Sequence, residues 1–197
     1  MIAIFDYGAG NLRSVQNTLA EIGATYEVVE DSEGLRRATK IILPGVGHFG
    51  QMMRAIDAMR VRAMLLERIT AGVPFLGICL GLQALFRQSE EAPEVDGLGL
   101  FSETVRRFPH EARVPHMGWN DLRIIRESAL LREIGKRPFV YFAHSFYAPA
   151  VEETAALCTY SVPYCAVLDS GNVFGVQFHP EKSGPLGLRI MKNFVDL

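Results

Sequence analysis

The sequence has few cysteines, and no two of them are spaced as a motif. Cys79, Cys158 and Cys165 are the only three among 197 residues. An odd number without C-x-x-C spacing argues against a disulfide framework or a zinc site and fits a reducing, cytoplasmic compartment. Cys158 and Cys165 lie in strand-like apolar runs, where a small buried hydrophobic residue is expected.

The chain also lacks an excess of either charge and lacks a long apolar run. Because 20 Lys and Arg oppose 22 Asp and Glu, the net charge of −2 gives no electrostatic case for nucleic acid or an anionic membrane. No segment approaches the roughly 18 apolar residues of a membrane helix. The opening apolar run has no basic segment before it, so no signal peptide is expected.

The first half alternates between strand-like and helix-like segments. Short apolar runs predict strands at 2–5, 25–30, 40–44 and 73–78. Helical spacing of apolar residues predicts helices at 11–22, at 51–71 in two pieces, and at 80–88. Such alternation predicts right-handed crossovers and a parallel sheet covered on both faces.

The second half is dominated by β-like runs separated by turn residues. These runs are at 114–125, 138–148, 154–160, 164–170 and 173–178, and a helix at 185–195 follows. With little helix between them, some of these strands are expected to be antiparallel. We therefore predict one α/β domain over 1–197, with three layers, a mixed but largely parallel sheet, helices on both faces and an antiparallel extension in the second half.

Two glycines after the first strand raise the possibility of dinucleotide binding. Gly8 and Gly10 begin the G-x-G-x-x-G fingerprint, and Glu30 and Asp31 lie about where a ribose-binding acid is expected. Arg13 occupies the third glycine position, which normally allows the helix to pack closely on the strand. The pattern is therefore weak, and a turn followed by a capped helix explains the glycines as well.

A cysteine between two glycines ends the fourth predicted strand. The segment from Gly77 to Gly81 reads G-x-C-x-G, the thiol version of the nucleophile elbow. Such a turn exposes Cys79 above the N-terminus of the next helix, where the helix dipole favours a thiolate. The backbone N–H of Leu80 then points to the position where an oxyanion would form.

The segment "QFHPE" supplies a base and a group to orient it. His179 and Glu181 are two residues apart at the end of a predicted strand, so both side chains can face one site. His179 would accept the proton of Cys79, and Glu181 would hold the imidazole in place. The glycine-rich loop "LPGVGHFG" follows the third strand, and its amides can approach a ligand closely.

These segments together resemble the class I, triad-type glutamine amidotransferases. The signatures are "GICLGLQ" and "QFHPE". Finer features resemble one branch of that family, the glutaminase subunits of imidazole glycerol phosphate synthases, and the similarity extends over nearly the whole chain. These features are "DYGAGNLRSV", "LPGVGHFG", "SEEAP", "PHMGWN", "YFAHSFY" and "HPEKS".

The resemblance implies a role for each matching residue. Cys79 would attack the carboxamide of glutamine to form a thioester, with His179 and Glu181 completing the triad. The oxyanion hole would be formed by Leu80 and by Val46 and Gly47, a segment thought in this family to need reorientation before it donates. The substrate's amino-acid end would be held by Gly45, Gln83, Glu91, Ser145 and Phe146.

The resemblance also implies a partner. Because the chain ends directly after its last helix, the acceptor of ammonia is expected to be a separate (β/α)8 barrel cyclase in a heterodimer. That cyclase would make imidazole glycerol phosphate and aminoimidazole carboxamide ribotide in histidine biosynthesis. The residues expected at the docking face are Asn11, Trp119, Tyr141, His144 and Lys182.

No metal or organic cofactor is indicated, since thiolate chemistry needs none. Two alternatives use the same triad: a glutaminase serving another ammonia-using synthase, and a cysteine hydrolase of γ-glutamyl substrates. A degenerate binding module is disfavoured because the triad residues are all present.

Overall fold

The computed structural model of the protein describes residues 1–8 and 12–197, and Asn11 therefore lies outside the described residues. The strands are β1 (Ile2–Phe5), β2 (Tyr26–Val29), β3 (Lys40–Gly45), β4 (Phe75–Cys79), β5 (Phe86–Ser89), β6 (Phe101–Arg107), β7 (His116–Asp121), β8 (Arg123–Ile124), β9 (Phe139–His144), β10 (Phe146–Tyr147), β11 (Thr154–Tyr160), β12 (Val162–Ser170) and β13 (Val173–Val176). The helices are α1 (Leu12–Glu21), α2 (Ser32–Arg37), α3 (Phe49–Ala58), α4 (Arg62–Thr70), α5 (Leu80–Gln83) and α6 (Gly184–Val195).

An eight-stranded sheet forms the centre of the fold, in the order β2-β1-β3-β4-β13-β12-β11-β8. The pairs from β2 to β13 are parallel, and those from β13 to β8 are antiparallel. Strands β10, β6 and β5 form a second sheet, and β7 pairs with β9 in a two-stranded ribbon. The predicted mixed sheet with an antiparallel extension is confirmed.

Two hydrophobic cores lie on opposite faces of the large sheet. Alternate residues of β1 divide between them, because successive side chains of a strand point to opposite faces. Ala3 and Phe5 pack with side chains of α3 and α4, whereas Ile2 and Ile4 pack with side chains of α1 and α6. Helices therefore cover both faces, as the three-layer prediction requires.

The helix predicted over 80–88 is wrong in its second half. Helix α5 ends at Gln83, and β5 follows, pairing in parallel with β6. Phe86 is fully buried and its ring lies 5.3 Å from that of Phe101. Gly97 packs so closely that an added Cβ would lie 1.9 Å from the Phe86 carbonyl oxygen. Pairing and packing with residues distant in sequence therefore override the local helical pattern.

Helix α2 and strand β6 were not predicted. Asp31 caps α2 by accepting a hydrogen bond from the Gly34 N–H at 2.8 Å. This capping contact accounts for Asp31, whose position in the sequence suggested ribose binding. The helical region at 51–71 does divide into two pieces, α3 and α4. Among the described helices, none is long and apolar enough to cross a membrane.

Candidate active site

Cys79 lies at a strained turn between β4 and α5. Its φ of 53° and ψ of −104° fall in a region that non-glycine residues rarely adopt. The glycines on either side permit this turn by close backbone packing. A Cβ on Gly77 would lie 2.4 Å from the Gly81 carbonyl oxygen, and one on Gly81 would lie 1.9 Å from that of Leu43. The elbow therefore requires glycine at both positions.

The neighbouring parallel strand brings His179 to this turn. Val176 of β13 is paired with Ile78 of β4, so both strands end at the same edge of the sheet. His179 Nδ1 is 2.8 Å from Glu181 Oε1, and neither side chain is more than 4% exposed. Since a carboxylate only accepts, Nδ1–H donates to Glu181, and Nε2 is the nitrogen left for Cys79. The structure therefore brings Cys79, His179 and Glu181 together in one chain of contacts.

The surroundings of His179 favour its protonated form. Burial by itself lowers the pKa of His179. The charge of Cys79, the hydrogen bond between the two side chains, and Glu181 act in the opposite direction and raise the pKa to about 10. His179 therefore carries a proton at neutral pH that it can donate to a leaving group.

Gln177 contacts Cys79, the predicted nucleophile, and was not identified from the sequence. Its fully buried carboxamide donates from Nε2 to Cys79 Sγ at 3.6 Å, and its Oε1 accepts from Gln83 Nε2 at 3.1 Å. Gln83 Nε2 also donates to the Phe146 carbonyl at 2.8 Å. Because a carbonyl oxygen only accepts, these hydrogen bonds fix the orientation of both carboxamides. Gln177 is two residues before His179, a strand spacing that could have revealed it.

The proposed oxyanion segment follows β3 beside the elbow, where Gly45 is paired with Cys79. The Val46 N–H does not point into the cavity; it donates to the Tyr7 hydroxyl at 3.3 Å. That hydroxyl in turn donates to the Val46 carbonyl oxygen at 3.2 Å. Leu80 is the first residue of α5, directly after the nucleophile. The segment therefore reaches the site with its Val46 N–H directed to Tyr7.

A cavity of about 310 Å³ opens at this edge of the sheet. Its lining includes most of the residues predicted for catalysis, the oxyanion and the substrate, namely Cys79, His179, Val46, Gly47, Leu80, Gln83, Glu91, Ser145 and Phe146. The predicted catalytic residue Glu181 does not line it. Gly45 is not among the lining residues. It is buried behind the elbow, where a Cβ would lie 2.6 Å from the Gly81 nitrogen.

Besides Gln83, two other predicted substrate-binding residues are engaged with the protein. Glu91 Oε2 accepts the N–H of Phe49 at 2.7 Å, which ties it to the start of α3. The Phe146 carbonyl accepts from Gln83 and from His144 Nδ1, each at 2.8 Å. Oε1 of Glu91 remains open to a ligand, whereas both acceptor sites of the Phe146 carbonyl are already used.

The ribbon of β7 and β9 carries two of the predicted docking residues next to the cavity. Trp119 is 56% exposed and is paired with Tyr141, with the ring centroids 6.2 Å apart. Lys182 Nζ lies 5.8 Å from the centre of the Tyr141 ring and lines the cavity. His144, the last residue of β9, is in contrast only 6% exposed, and it lines the cavity.

His144 belongs to a buried polar cluster behind the cavity. His144 Nε2 is 3.3 Å from His116 Nδ1, and the Tyr164 hydroxyl is 3.2 Å from each of these nitrogens. Burial lowers the pKa of His116 to about 4 and that of His144 to about 3, so both are neutral at pH 7. These side chains support the wall that carries Ser145 and Phe146.

The remaining cysteines have no exposed thiol. Cys158 and Cys165 are buried, and burial raises the pKa of the first to about 11 and that of the second to about 12. Their protonated, enclosed side chains act as small hydrophobic residues. Within residues 1–8 and 12–197, no group of three or more His, Cys, Asp and Glu is arranged to hold a metal ion.

Comparison with known sequences gives consistent relatives. Residues 3–197 match the family model described as Glutamine amidotransferase class-I. Proteins named "Imidazole glycerol phosphate synthase subunit HisH" are 47% identical in Methanothermobacter thermautotrophicus and 48% in Methanosarcina barkeri, each over 100% of this chain and 98% of the relative. The one from Deinococcus radiodurans is 44% identical over 98% of this chain and 92% of its own.

Solved structures share the architecture at low sequence identity. A crystal structure of a glutamine amidotransferase is 19% identical with a TM-score of 0.78, covering 99% of this chain and 97% of the other. The structure of PurLQS from Thermotoga maritima is 20% identical with a TM-score of 0.76, again over 99% and 97%. At such identities the likeness establishes the fold alone.

Proposed function

This chain belongs to the class-I glutamine amidotransferases, and we propose that it is the glutaminase subunit of an imidazole glycerol phosphate synthase, releasing ammonia from glutamine for histidine biosynthesis. Supporting this, the relatives that match it over nearly their full length at 44–48% identity bear that subunit's name. The observation that carries the chemistry is the contact chain Cys79–His179–Glu181 at the cavity. We assign residues 1–197 to one catalytic domain and the reaction to the cytoplasm.

The first half-reaction forms a covalent intermediate. The Sγ atom of Cys79 attacks the carboxamide carbon of glutamine, and a carbon–sulfur bond forms as the carbonyl oxygen becomes an oxyanion. The proton given up by Cys79 resides on His179, whose raised pKa keeps it there until the nitrogen leaves. As the carbon–nitrogen bond breaks, His179 Nε2 donates that proton, and ammonia departs from a γ-glutamyl thioester.

The second half-reaction regenerates the free thiolate of Cys79. His179 Nε2, now without its proton, accepts one from a water molecule that attacks the thioester carbon. The carbon–sulfur bond breaks, glutamate is released, and the thiolate again faces a protonated imidazole. Glu181, held 2.8 Å from Nδ1, keeps the ring in the tautomer that both steps need.

Two backbone amides are assigned to the oxyanion. Leu80 N–H follows the nucleophile at the start of α5, and the second donor comes from the Val46–Gly47 segment after β3. The Val46 N–H is bound to Tyr7 in this structure, so that amide can serve as the second donor only after the segment turns. Loss of a single oxyanion donor typically lowers kcat by about 10²–10³-fold. Partner-free hydrolysis is therefore slow.

The amino-acid end of glutamine is assigned to the opposite side of the cavity. A carboxylate suits the α-ammonium group, and Glu91 is the acidic residue among those that line the cavity. Its Oε2 is held by Phe49, which fixes the carboxylate in place for that contact. Ser145 and the Phe146 backbone border the same region, on the segment that joins β9 to β10.

The ammonia is delivered to a (β/α)8 barrel cyclase that docks on the ribbon of β7 and β9. Met117, Trp119 and Phe139 are 67%, 56% and 53% exposed on this ribbon. Met117 and Trp119 lie two residues apart and so share one face of β7. Apolar side chains concentrated beside a catalytic cavity are typical of a protein contact. Docking there covers the mouth of the cavity at Lys182 and Ala143.

Transfer of isotope from glutamine tests this assignment. The chain is mixed with the cyclase subunit, its formimino ribotide substrate and glutamine labelled with ¹⁵N in the amide. The proposal predicts ¹⁵N in the imidazole ring of the product, even when unlabelled ammonium is added as a competitor. Glutamate formation without labelled imidazole product, under conditions in which the cyclase uses free ammonia, would assign this chain to another synthase or to γ-glutamyl hydrolysis.

A further inference from the structure

We propose that the Tyr7 hydroxyl is a latch that holds the backbone N–H and C=O of Val46 in their resting orientation and so limits hydrolysis in the absence of the partner. This inference rests on the proposed glutaminase function and adds to it a positioning residue. Tyr7 does not line the cavity and does not contact the reacting atoms. It acts through the backbone of Val46.

A single hydroxyl engages both polar groups of one residue. The Val46 N–H donates to Tyr7 Oη at 3.3 Å, and Tyr7 Oη donates to the Val46 carbonyl at 3.2 Å. Tyr7 is only 5% exposed, with its ring packed in one of the two hydrophobic cores, whereas Val46 is 37% exposed. A buried side chain thus fixes the peptide groups on both sides of Val46, a residue that is itself exposed.

The hydroxyl can accept and donate at the same time because it is neutral. Burial raises the pKa of Tyr7 to about 12, and the hydrogen bond with Val46 only partly offsets that effect. Tyr7 follows β1, which is paired with β3, and the oxyanion segment follows β3. The sheet therefore places Tyr7 next to the segment of Val46 and Gly47.

The two glycines beside Val46 differ in their freedom to move. Gly45 is fixed against the elbow, since a Cβ there would lie 2.6 Å from the Gly81 nitrogen and the Leu80 Cβ. Gly47 has a φ of +95°, and a Cβ there would meet no atom within 4 Å. Space is therefore open on the Gly47 side of Val46, whereas the Gly45 side is closely packed. Val46 and Gly47 already border the cavity.

A latch and a purely structural role for Tyr7 predict opposite changes in activity when the hydroxyl is removed. If Tyr7 merely supported the loop, its loss would lower activity. A latch stabilises only the resting orientation, because the Val46 N–H must leave the hydroxyl before it can donate to an oxyanion. Its loss would raise partner-free activity by about tenfold, equivalent to about 1.4 kcal/mol and similar to the net contribution of one hydrogen bond.

The test compares Tyr7→Phe with wild type in glutamate release, with and without the cyclase and its ribotide. Tyr160→Phe is the matched control, because it also removes a hydroxyl that donates to a backbone carbonyl, that of Arg113 at 2.6 Å. We expect kcat of the free Tyr7→Phe subunit to rise about tenfold with KM for glutamine unchanged. Activity of the fully stimulated complex should stay at the wild-type level, and the control should resemble wild type.

Unchanged or reduced partner-free activity in a folded Tyr7→Phe subunit would overturn the latch. If wild type itself released no glutamate with the cyclase and ribotide, the proposed function would fail instead, so the two failures are distinguishable. Hydrogen exchange in wild type gives a test that does not depend on the variant. The latch predicts a Val46 amide that is protected in the free subunit and loses protection when cyclase and ribotide are added, and fast exchange in the free subunit contradicts it.

Discussion

The carboxamide of Gln177 donates a hydrogen bond to the Sγ atom of Cys79 across 3.6 Å. Its orientation is set by Gln83, which donates to Gln177 Oε1 and to a backbone carbonyl. A fixed N–H beside the nucleophile stabilises negative charge on sulfur, because hydrogen bonds to an ionised acceptor are stronger than neutral ones. Gln177 thus contributes to the site together with the triad.

Replacing Gln177 with glutamate reverses this effect. Gln177→Glu removes the donor and places a carboxylate next to the thiolate, so we expect kcat/KM for glutamine to fall by about 10²-fold. The rate of Cys79 alkylation by iodoacetamide at pH 7, measured by mass spectrometry, should fall as well. Gln51→Glu introduces the same charge at an exposed position of α3 and serves as the control. Equal alkylation rates in both variants would show that Gln177 does not affect the reactivity of Cys79.

The protonation of His179 depends on Cys79. In wild type the pKa of His179 is raised to about 10, so the imidazole keeps its proton as the pH rises from 6.5 to near 10 and loses it above that range. Cys79→Ala removes the charge and the hydrogen bond that raise this pKa, while the burial that lowers it remains. NMR titration should therefore show His179 losing its proton at a clearly lower pH in Cys79→Ala. An unaltered titration would mean that the two side chains are not coupled.

The elbow tolerates no side chain at Gly81. A Cβ at this position would lie 1.9 Å from the backbone oxygen of Leu43, which cannot move without disturbing β3. Gly81→Ala should lower the free energy of unfolding by about 3 kcal/mol, measured by urea denaturation. Gly171 has a φ of +65° but open space around it, so Gly171→Ala should cost only about 1–2 kcal/mol from backbone strain. Similar losses in both variants would contradict the steric explanation.

Trp119 is expected to anchor the cyclase. It is 56% exposed next to the cavity, and truncating a central aromatic residue of an interface commonly costs about 2 kcal/mol or more. Trp119→Ala should weaken cyclase binding by about 30-fold in calorimetric titration, with the unfolding transition of the free subunit unchanged. Ile125→Ala, at a residue 49% exposed beyond β8, should leave the affinity at the wild-type level. Weakening by both variants, or by neither, would place the docking surface elsewhere.

Local sequence patterns predicted the parts of the fold that depend on local chemistry. The alternation of strand and helix gave the parallel half of the sheet, and the glycines around Cys79 indicated the turn that the structure contains. The helix predicted over 80–88 failed because β5 exists only through pairing with β6, which is distant in sequence. Helix α2 was missed although Asp31 provided a capping signal in the sequence.

The residues of the site likewise divide into those that local sequence patterns indicate and those that only the folded structure reveals. His179 and Glu181 could be associated with Cys79 because their spacing and residue types suit one reaction. Tyr7 could not be assigned, since its role arises from hydrogen bonds to a segment distant in sequence. The two-residue spacing of Gln177 and His179 indicated a shared face, but not the contact of Gln177 with Cys79. The burial of Gly45 and His144 is likewise a property of packing. Only the three-dimensional arrangement shows that Gly45 does not line the cavity and that His144 is not exposed on the predicted docking face.

The most direct measurement is the release of glutamate from glutamine by the chain alone and with the cyclase and its ribotide, in wild type and in Cys79→Ala. The account predicts slow release by the wild-type chain alone, strong stimulation by the partner and its ligand, and no release by Cys79→Ala in either condition. Release that persists in Cys79→Ala, or that is absent from wild type even with the cyclase and ribotide, would contradict the assignment of Cys79 as the nucleophile of a partner-coupled glutaminase.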